Sequence, residues 1–291
     1  MLFQTDKECI TAPLLYESHM HTPLCKHAVG EPEEYAAVAE QRGLKGIIVT
    51  CHSPMPNGYS PSVRMSIEQF DSYVEMVERA RRAWEGRVDV RLGLESDYFP
   101  GIEQWLEELH ARAQFHHVLG SVHPQIKAYQ ARFYTGDWLD FQRTYFDHLA
   151  SAAETGLYDT ISHPDLVKNI RPEEWNLDRV MPDIRRALDR IARAGAAMEL
   201  NTSGRNKSFP EVNPGPEILR EIAARQIPIV IGADAHEPER VGDRFRESLE
   251  DLQSIGFRTV SIFLNRRRQD IPITDALASL NRESSASTPK T

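Results

Sequence analysis

The feature that most constrains this chain is an alternation. Short apolar or β-branched runs recur at LLYES (14–18), GIIVTCH (46–52), VDVRLGLES (88–96), HHVLGSVH (116–123), YDTISH (158–163), AAMELNTS (196–203), IPIVIGADAH (227–236) and RTVSIFL (258–264). Between them lie amphipathic stretches: EPEEYAAVAEQRG, SIEQFDSYVEMVERARRAWEG, GIEQWLEELHARA, WLDFQRTYFDHLASAAETG, MPDIRRALDRIARAG, PGPEILREIAARQ and ESLEDLQSIG. Several begin at Pro or an acid and stop at Gly, as helices do. Strands joined by helices predict a parallel sheet with crossover connections. About seven such units suit a closed barrel better than an open sheet. The expectation is an α/β fold, a distorted (β/α)7 TIM-like barrel. Residues 1–280 form its single domain, and the polar tail 281–291 is disordered. The Pro/Ser-rich stretch 52–65 and the stretch 124–138 read as loops, the first long enough to act as a lid.

Composition removes several function classes. The 291 residues carry a formal charge of −9, which argues against nucleic-acid or membrane binding through a basic face. It leaves room for a local cationic pocket. No run of about 18 apolar residues exists, and the N-terminus lacks the basic start and apolar core of a signal peptide. A cytoplasmic protein is expected. Cys9, Cys25 and Cys51 have no disulfide spacing; Cys25 and Cys51 read as small buried residues beside a site. Neither nucleotide-binding glycine motif is present, and no GxSxG marks a serine nucleophile.

The histidines carry the chemical information. Of eleven in the chain, His19, His21, His27, His52, His123, His163 and His236 fall at strand ends or just beyond them. Residues i and i+2 of a strand face the same way. His19 and His21 can therefore aim two imidazoles at one point, and Asp234 with His236 repeats the geometry. Glu95 ends the third strand. In a barrel, strand C-terminal ends converge on one face. A single histidine is more often structural than ligating, but seven placed this way, with Glu95 and Asp234, are not explained by core packing. Nine nitrogen and oxygen donors exceed the needs of one zinc. They suit two or three divalent ions, with Zn, Fe and Mn all compatible.

The order HxHT…H…H…E…H…H…DxH resembles the PHP superfamily, named for polymerase and histidinol phosphatase. The similarity runs from about residue 14 to 265 and fills all nine ligand positions. The stretches SHMHTPLCKHA, GLESDY, GSVH, SHPDL, MELNTSGRNK and GADAH are most similar to the monofunctional histidinol-phosphatase branch. The resemblance implies a trinuclear metal centre at the strand C-terminal face. One ion would be held by His19, His21, Glu95 and Asp234. A second would be held by Glu95, His123 and His163, with Glu95 bridging. A third would be held by His27, His52 and His236. It also implies a phosphoric monoester hydrolase that converts L-histidinol phosphate to L-histidinol and phosphate in histidine biosynthesis.

The chemistry fits that expectation. Divalent ions lower the pKa of bound water toward about 7, so a metal-bridging hydroxide can attack a monoester without a Ser or Cys nucleophile. Glu95, Asp234 and His236 are the expected catalytic groups. Arg205 and Lys168 are expected to contact the phosphorylated substrate, and Asp97 to orient a ligand or bind an imidazole amine. Arg64 reads as a solvated loop residue that reaches substrate only if the Pro/Ser-rich loop closes, and Glu199 with Asn201 as support behind the ligands. The alternative is another PHP phosphoesterase, acting on nucleotides or small phosphodiesters. A non-catalytic metal-stabilised module is disfavoured, because no ligand position is missing.

Overall fold

The structure, a computed structural model, describes residues 12–280; the expected tail 281–291 and Cys9 lie outside them. Seven parallel strands form one sheet in sequence order. They are β1 (Tyr16–Glu17), β2 (Gly46–Val49), β3 (Asp89–Asp97), β4 (His117–Ser121), β5 (Thr160–Ile161), β6 (Ala197–Asn201) and β7 (Ile229–Gly232). Every residue of β2, β4, β6 and β7 is buried, as expected for strands covered on both faces. The ends of the sheet meet just past β1 and β7. Met20 pairs in parallel with Ala235; His21 N–H donates to Ala235 O and Ala235 N–H to His19 O, each at 2.9 Å. The barrel therefore closes through the segments that carry HxH and DxH.

Helices α1 (Pro32–Gln41), α2 (Phe70–Ala83), α3 (Glu103–His110), α4 (Lys127–Phe133), α5 (Trp138–Glu154), α6 (Leu177–Ala194), α7 (Pro216–Ala224) and α8 (Phe245–Ile255) follow the strands. Their ends obey local chemistry. Glu31 and Glu34 form a reciprocal capping box before α1, and the Asn176 side chain accepts Arg179 N–H to start α6. Gly195, at φ 78°, stops α6 in the left-handed region that glycine occupies without penalty. No helix among the described residues is long and apolar enough to cross a membrane.

Two expectations need correction. The stretch 124–138 is not all loop, because α4 occupies part of it. The run at 258–264 forms β8 (Thr259–Leu264), which does not join the parallel sheet. It pairs antiparallel with β9 (Arg267–Pro272). The hairpin turns through Asn265 and Arg266, both at positive φ, as a type I′ turn requires. β9 is mostly exposed and polar, so no apolar run marks it in the sequence. The hairpin sets Ile262 against Tyr16 and Ile48, and Phe263 against Ala197, Val230 and the His117 ring. It covers the barrel at the strand N-terminal ends, opposite the histidines, before α9 (Ile273–Ser279) ends the described chain.

Candidate metal centre

The strand ends deliver one buried cluster. Glu95 lies at its middle, fully buried on β3. Five imidazoles surround its carboxylate. His52 Nδ1 lies 2.7 Å from Oε2, His163 Nε2 3.0 Å from Oε1, His123 Nε2 3.3 Å from Oε1, His19 Nε2 3.4 Å from Oε1 and His21 Nε2 3.6 Å from Oε2. Ser121 donates its hydroxyl to Glu95 Oε1 at 2.6 Å. Asp234 flanks the group: its Oδ1 lies 3.1 Å from His21 Nε2 and 3.7 Å from His19 Nε2. His163 and Asp234 have φ of 27° and 50°, a region uncommon outside glycine that marks both as held by their surroundings.

Buttressing residues set the directions of these rings. His19 donates Nδ1–H to Glu199 Oε1 at 2.7 Å, and Glu199 Oε2 accepts from His163 N–H at 2.9 Å and Asn201 Nδ2 at 3.1 Å. One carboxylate thus positions two strand ends, the support expected of Glu199 and Asn201. A Cβ on Gly232 would overlap Glu199 Oε1 and lie 2.8 Å from His19 Cβ, so only glycine lets this pair meet. Glu17 was not foreseen as a site residue. Its buried carboxylate accepts N–H groups from His19 and Ala233 at 3.0 Å and Gly242 at 2.8 Å, binding the seam between β1 and β7. Burial nonetheless lifts its pKa to about 7. A lone acid inside the apolar run LLYES was the signal that could have found it.

Electrostatics divide the cluster. Burial alone would raise Glu95, but His52, His19 and His123 hold it well below the ordinary carboxylate value. Burial also works against charge on Asp234; Lys207 and His19 outweigh it and keep the carboxylate ionised. Burial drives His52 down to about 4 and, with the charge on His21, His236 to about 3. Burial opposes charge on His123 too, yet Asp97 and Glu95 lift it to about 10.

The donor set fits metal ions. His19 Nε2, Glu95 Oε2, His52 Nδ1 and His163 Nδ1 are buried without a properly aligned hydrogen bond. The 2.7 Å approach of His52 Nδ1 to Glu95 is therefore close but misdirected for a hydrogen bond. His27 and His236 give a second sign. Each donates Nδ1–H to a backbone carbonyl, Cys25 O at 2.7 Å and Asp234 O at 3.0 Å. Their Nε2 atoms then face each other at 2.9 Å, a contact that needs either a proton on one ring or a cation between the two lone pairs. A shared cation satisfies such a pair. His19, His21 and Glu95 form one tight donor triad, and His52, Glu95 and His123 another. The expected trio of His27, His52 and His236 appears as two overlapping triads: His236 with His21 and His52, and His236 with His27 and Cys25.

Above the cluster opens a cavity of about 460 Å³, lined by His27, His52, His123, His163, Asp234 and His236, with Arg64, Gln125 and Lys207 on its walls. The substrate-contact expectations change here. Arg205 instead donates to Asp251 at 3.0 Å on the surface of α8. Lys168 is fully buried, and Asp165, Glu211 and Val212 O engage its ammonium at 2.8–2.9 Å. It is a strut under the loop, with no free proton to offer a phosphate. Asp97 is close but occupied: Arg64 holds both of its oxygens, at 3.3 and 2.7 Å, and Oδ1 lies 3.1 Å from His123 Nδ1. Arg64, expected in solvent, is 2% exposed. Ser53 O and Ser60 Oγ fix it further. Lys207 was overlooked two residues beyond Arg205. Its ammonium lies 3.3 Å from Asp234 Oδ2, beside the Ser203 hydroxyl, which lies 2.7 Å from Asn201 Oδ1 and 3.1 Å from the same Asp234 oxygen.

Comparison with known proteins agrees with this geometry. Residues 17–203 match the PHP domain. The chain is 39% identical over 265 residues to a protein of Deinococcus radiodurans named "Probable histidinol-phosphatase", covering 88% of this chain and 98% of that one. It is 24% identical over 271 residues to the histidinol-phosphatase of Bacillus subtilis, covering 80% and 98%. The crystal structure of histidinol phosphate phosphatase from Lactococcus lactis, complexed with zinc, L-histidinol and phosphate, superposes with a TM-score of 0.74. It covers 88% of this chain and 98% of its own at 17% identity, and so speaks to the fold.

Proposed function

The chain belongs to the PHP family, and from that premise we propose that it is a metal-dependent histidinol-phosphatase, hydrolysing L-histidinol phosphate to L-histidinol and phosphate in histidine biosynthesis. The observation that carries the reading is the convergence of five imidazoles on Glu95 at the floor of a cavity walled by Lys207 and Arg64. The strong identity to a relative named for this activity supports the substrate.

We assign three divalent ions to the floor. His19, His21, Glu95 and Asp234 would hold one, Glu95, His123 and His163 a second, and His27, His52 and His236 a third. Ions held there acidify water toward neutral pH and polarise phosphoryl oxygens. The chain's own residues do the rest. Lys207 presents a cation to the phosphate dianion from the cavity wall. Its charge, with that of His19, keeps Asp234 an acceptor. Asp234 is therefore no proton donor at neutral pH, and Lys207 is the protonated group nearest to it on the wall. Asp97 and Arg64 orient His123 and close one side of the cavity. The volume suits a small phosphorylated molecule.

The test is initial phosphate release from L-histidinol phosphate beside AMP, a dinucleotide and p-nitrophenyl phosphate, before chelation, after it, and with Zn, Mn or Fe restored. A kcat/KM for histidinol phosphate orders of magnitude above the others, abolished by chelation, is expected. A metal-dependent preference for another ester would discard the substrate and keep the site.

A further inference from the structure

Two thiols border the cluster without a part in the reaction above. Cys25 and Cys51 are free and fully buried. Cys25 ends the short turn Pro23–Cys25 after β1, two residues before His27, and Cys51 lies just past β2, beside His52. The two sulfurs and a ring nitrogen of His21 lie within 4.8 Å of one another. Cys25 Sγ also lies within 4.8 Å of ring nitrogens of His27 and His236. The two sulfurs are not equivalent. Thr22 holds Cys51 Sγ, donating its hydroxyl at 3.2 Å and its N–H at 3.4 Å. Cys25 Sγ is the one that points between the imidazoles.

Resting on the metal-centre reading, we propose that Cys25 supplies a thiolate to the ion between His27 and His236, giving that position a mixed sulfur–nitrogen donor set. Three facts converge there. The Nε2 atoms of His27 and His236 converge at 2.9 Å, where a cation can take both lone pairs. His21 Nδ1 is fully buried on the same side without a hydrogen-bond partner. A sulfur completes the triad. Donor atoms on one tetrahedral zinc, with Zn–S about 2.3 Å and Zn–N about 2.0–2.1 Å, stand roughly 3.3–3.8 Å apart. Small side-chain rotations bring the observed triad to that spacing. Binding releases the Cys25 proton to solvent. A thiolate favours zinc, or another soft divalent ion, over manganese, which prefers oxygen donors. The three positions of the cluster would then differ in metal preference, with the rim position the zinc-selective one.

Cobalt(II) reads sulfur ligation without reference to turnover. The full chain, stripped and reloaded with cobalt, is expected to show a near-ultraviolet thiolate-to-cobalt charge-transfer band beside the visible ligand-field bands. Cys25→Ser is expected to lose the charge-transfer band and keep the ligand-field bands of the other positions; Cys51→Ser is expected to keep both. A cobalt-loaded wild type without the band overturns the proposal, as does a band that survives Cys25→Ser or disappears only in Cys51→Ser. Cobalt that binds to none of the three proteins overturns the metal-centre reading itself. If Cys25→Ser does not fold, X-ray absorption at the zinc edge of the wild type decides. A sulfur shell at about 2.3 Å supports the ligand, and a shell of nitrogen and oxygen alone removes it.

Discussion

Two groups of histidines, mostly buried, occupy different regions of this molecule and are held in opposite ways. At the C-terminal mouth, imidazoles crowd around carboxylates, with Glu95 serving five of them and Glu199 fixing His19 from behind. In the wall and helical shell, each histidine meets a neutral hydroxyl. His117 Nε2 pairs with Thr160 Oγ1 at 2.8 Å, His148 Nδ1 with the Tyr129 hydroxyl at 2.7 Å and His110 Nε2 with Ser96 Oγ at 3.0 Å. A hydroxyl satisfies a neutral ring but gives little to a charged one. Burial therefore pushes His117 to about 3 and His110 and His148 to about 4. The partner, more than the depth, separates a ligand from a packing residue.

The largest test of this contrast is Glu95→Gln. Removing the shared charge is expected to lower kcat by about 10³-fold or more, since the electrostatic contribution at such a centre is worth several kcal/mol. Metal content measured alongside should fall. An active, fully loaded variant would refute the central place given to this carboxylate. Glu199→Gln is the next step down. It keeps the shape but weakens the charge that orients His19, and metal affinity is expected to fall roughly 10–100-fold, as read by chelator competition. Lys207→Met should raise KM for a phosphate monoester about tenfold, the size of one charge-assisted hydrogen bond, and should weaken metal binding less than Glu199→Gln does, because His19 still helps keep Asp234 ionised. An unchanged KM would remove Lys207 from the phosphate contact.

The smallest effect on activity is expected from the shell histidines, whose signature is stability. Their folded pKa values lie below the ordinary 6.5, so their contribution is fully present above pH 6.5. It is lost as pH falls through the window from 6.5 toward 3–4, where unfolding takes up protons. His148→Gln should flatten the acid limb of a stability-versus-pH curve by one proton and leave cobalt binding untouched. An unchanged acid limb would show that this ring is not held neutral.

Much of the site is legible in the amino-acid order. The i, i+2 spacing of His19 and His21, and of Asp234 and His236, can be placed on strands because strand geometry is periodic. The strand ends can be placed on one face because parallel barrels have one chemical end. What is not legible depends on distant partners. Arg205 and Lys168 sit at plausible intervals after strand ends, yet Asp251 and the trio of Asp165, Glu211 and Val212 claim them. Arg64 reads as solvated only until the loop folds it onto Asp97, 33 positions away. β9 carries no apolar pattern because its pairing to β8 is made by backbone groups, which every residue has.

Periodicity and residue type, both local properties of the chain, account for the alternating architecture, the end of the barrel that holds chemistry and the kinds of atom gathered there. Three outcomes arise only on folding: which cations face the cavity, that Glu17 binds the seam, and that Cys25 lies between two imidazoles. They depend on which side chains meet across the barrel. Coulomb and hydrogen-bond energies fall off over a few ångströms, and no spacing along the chain records those distances.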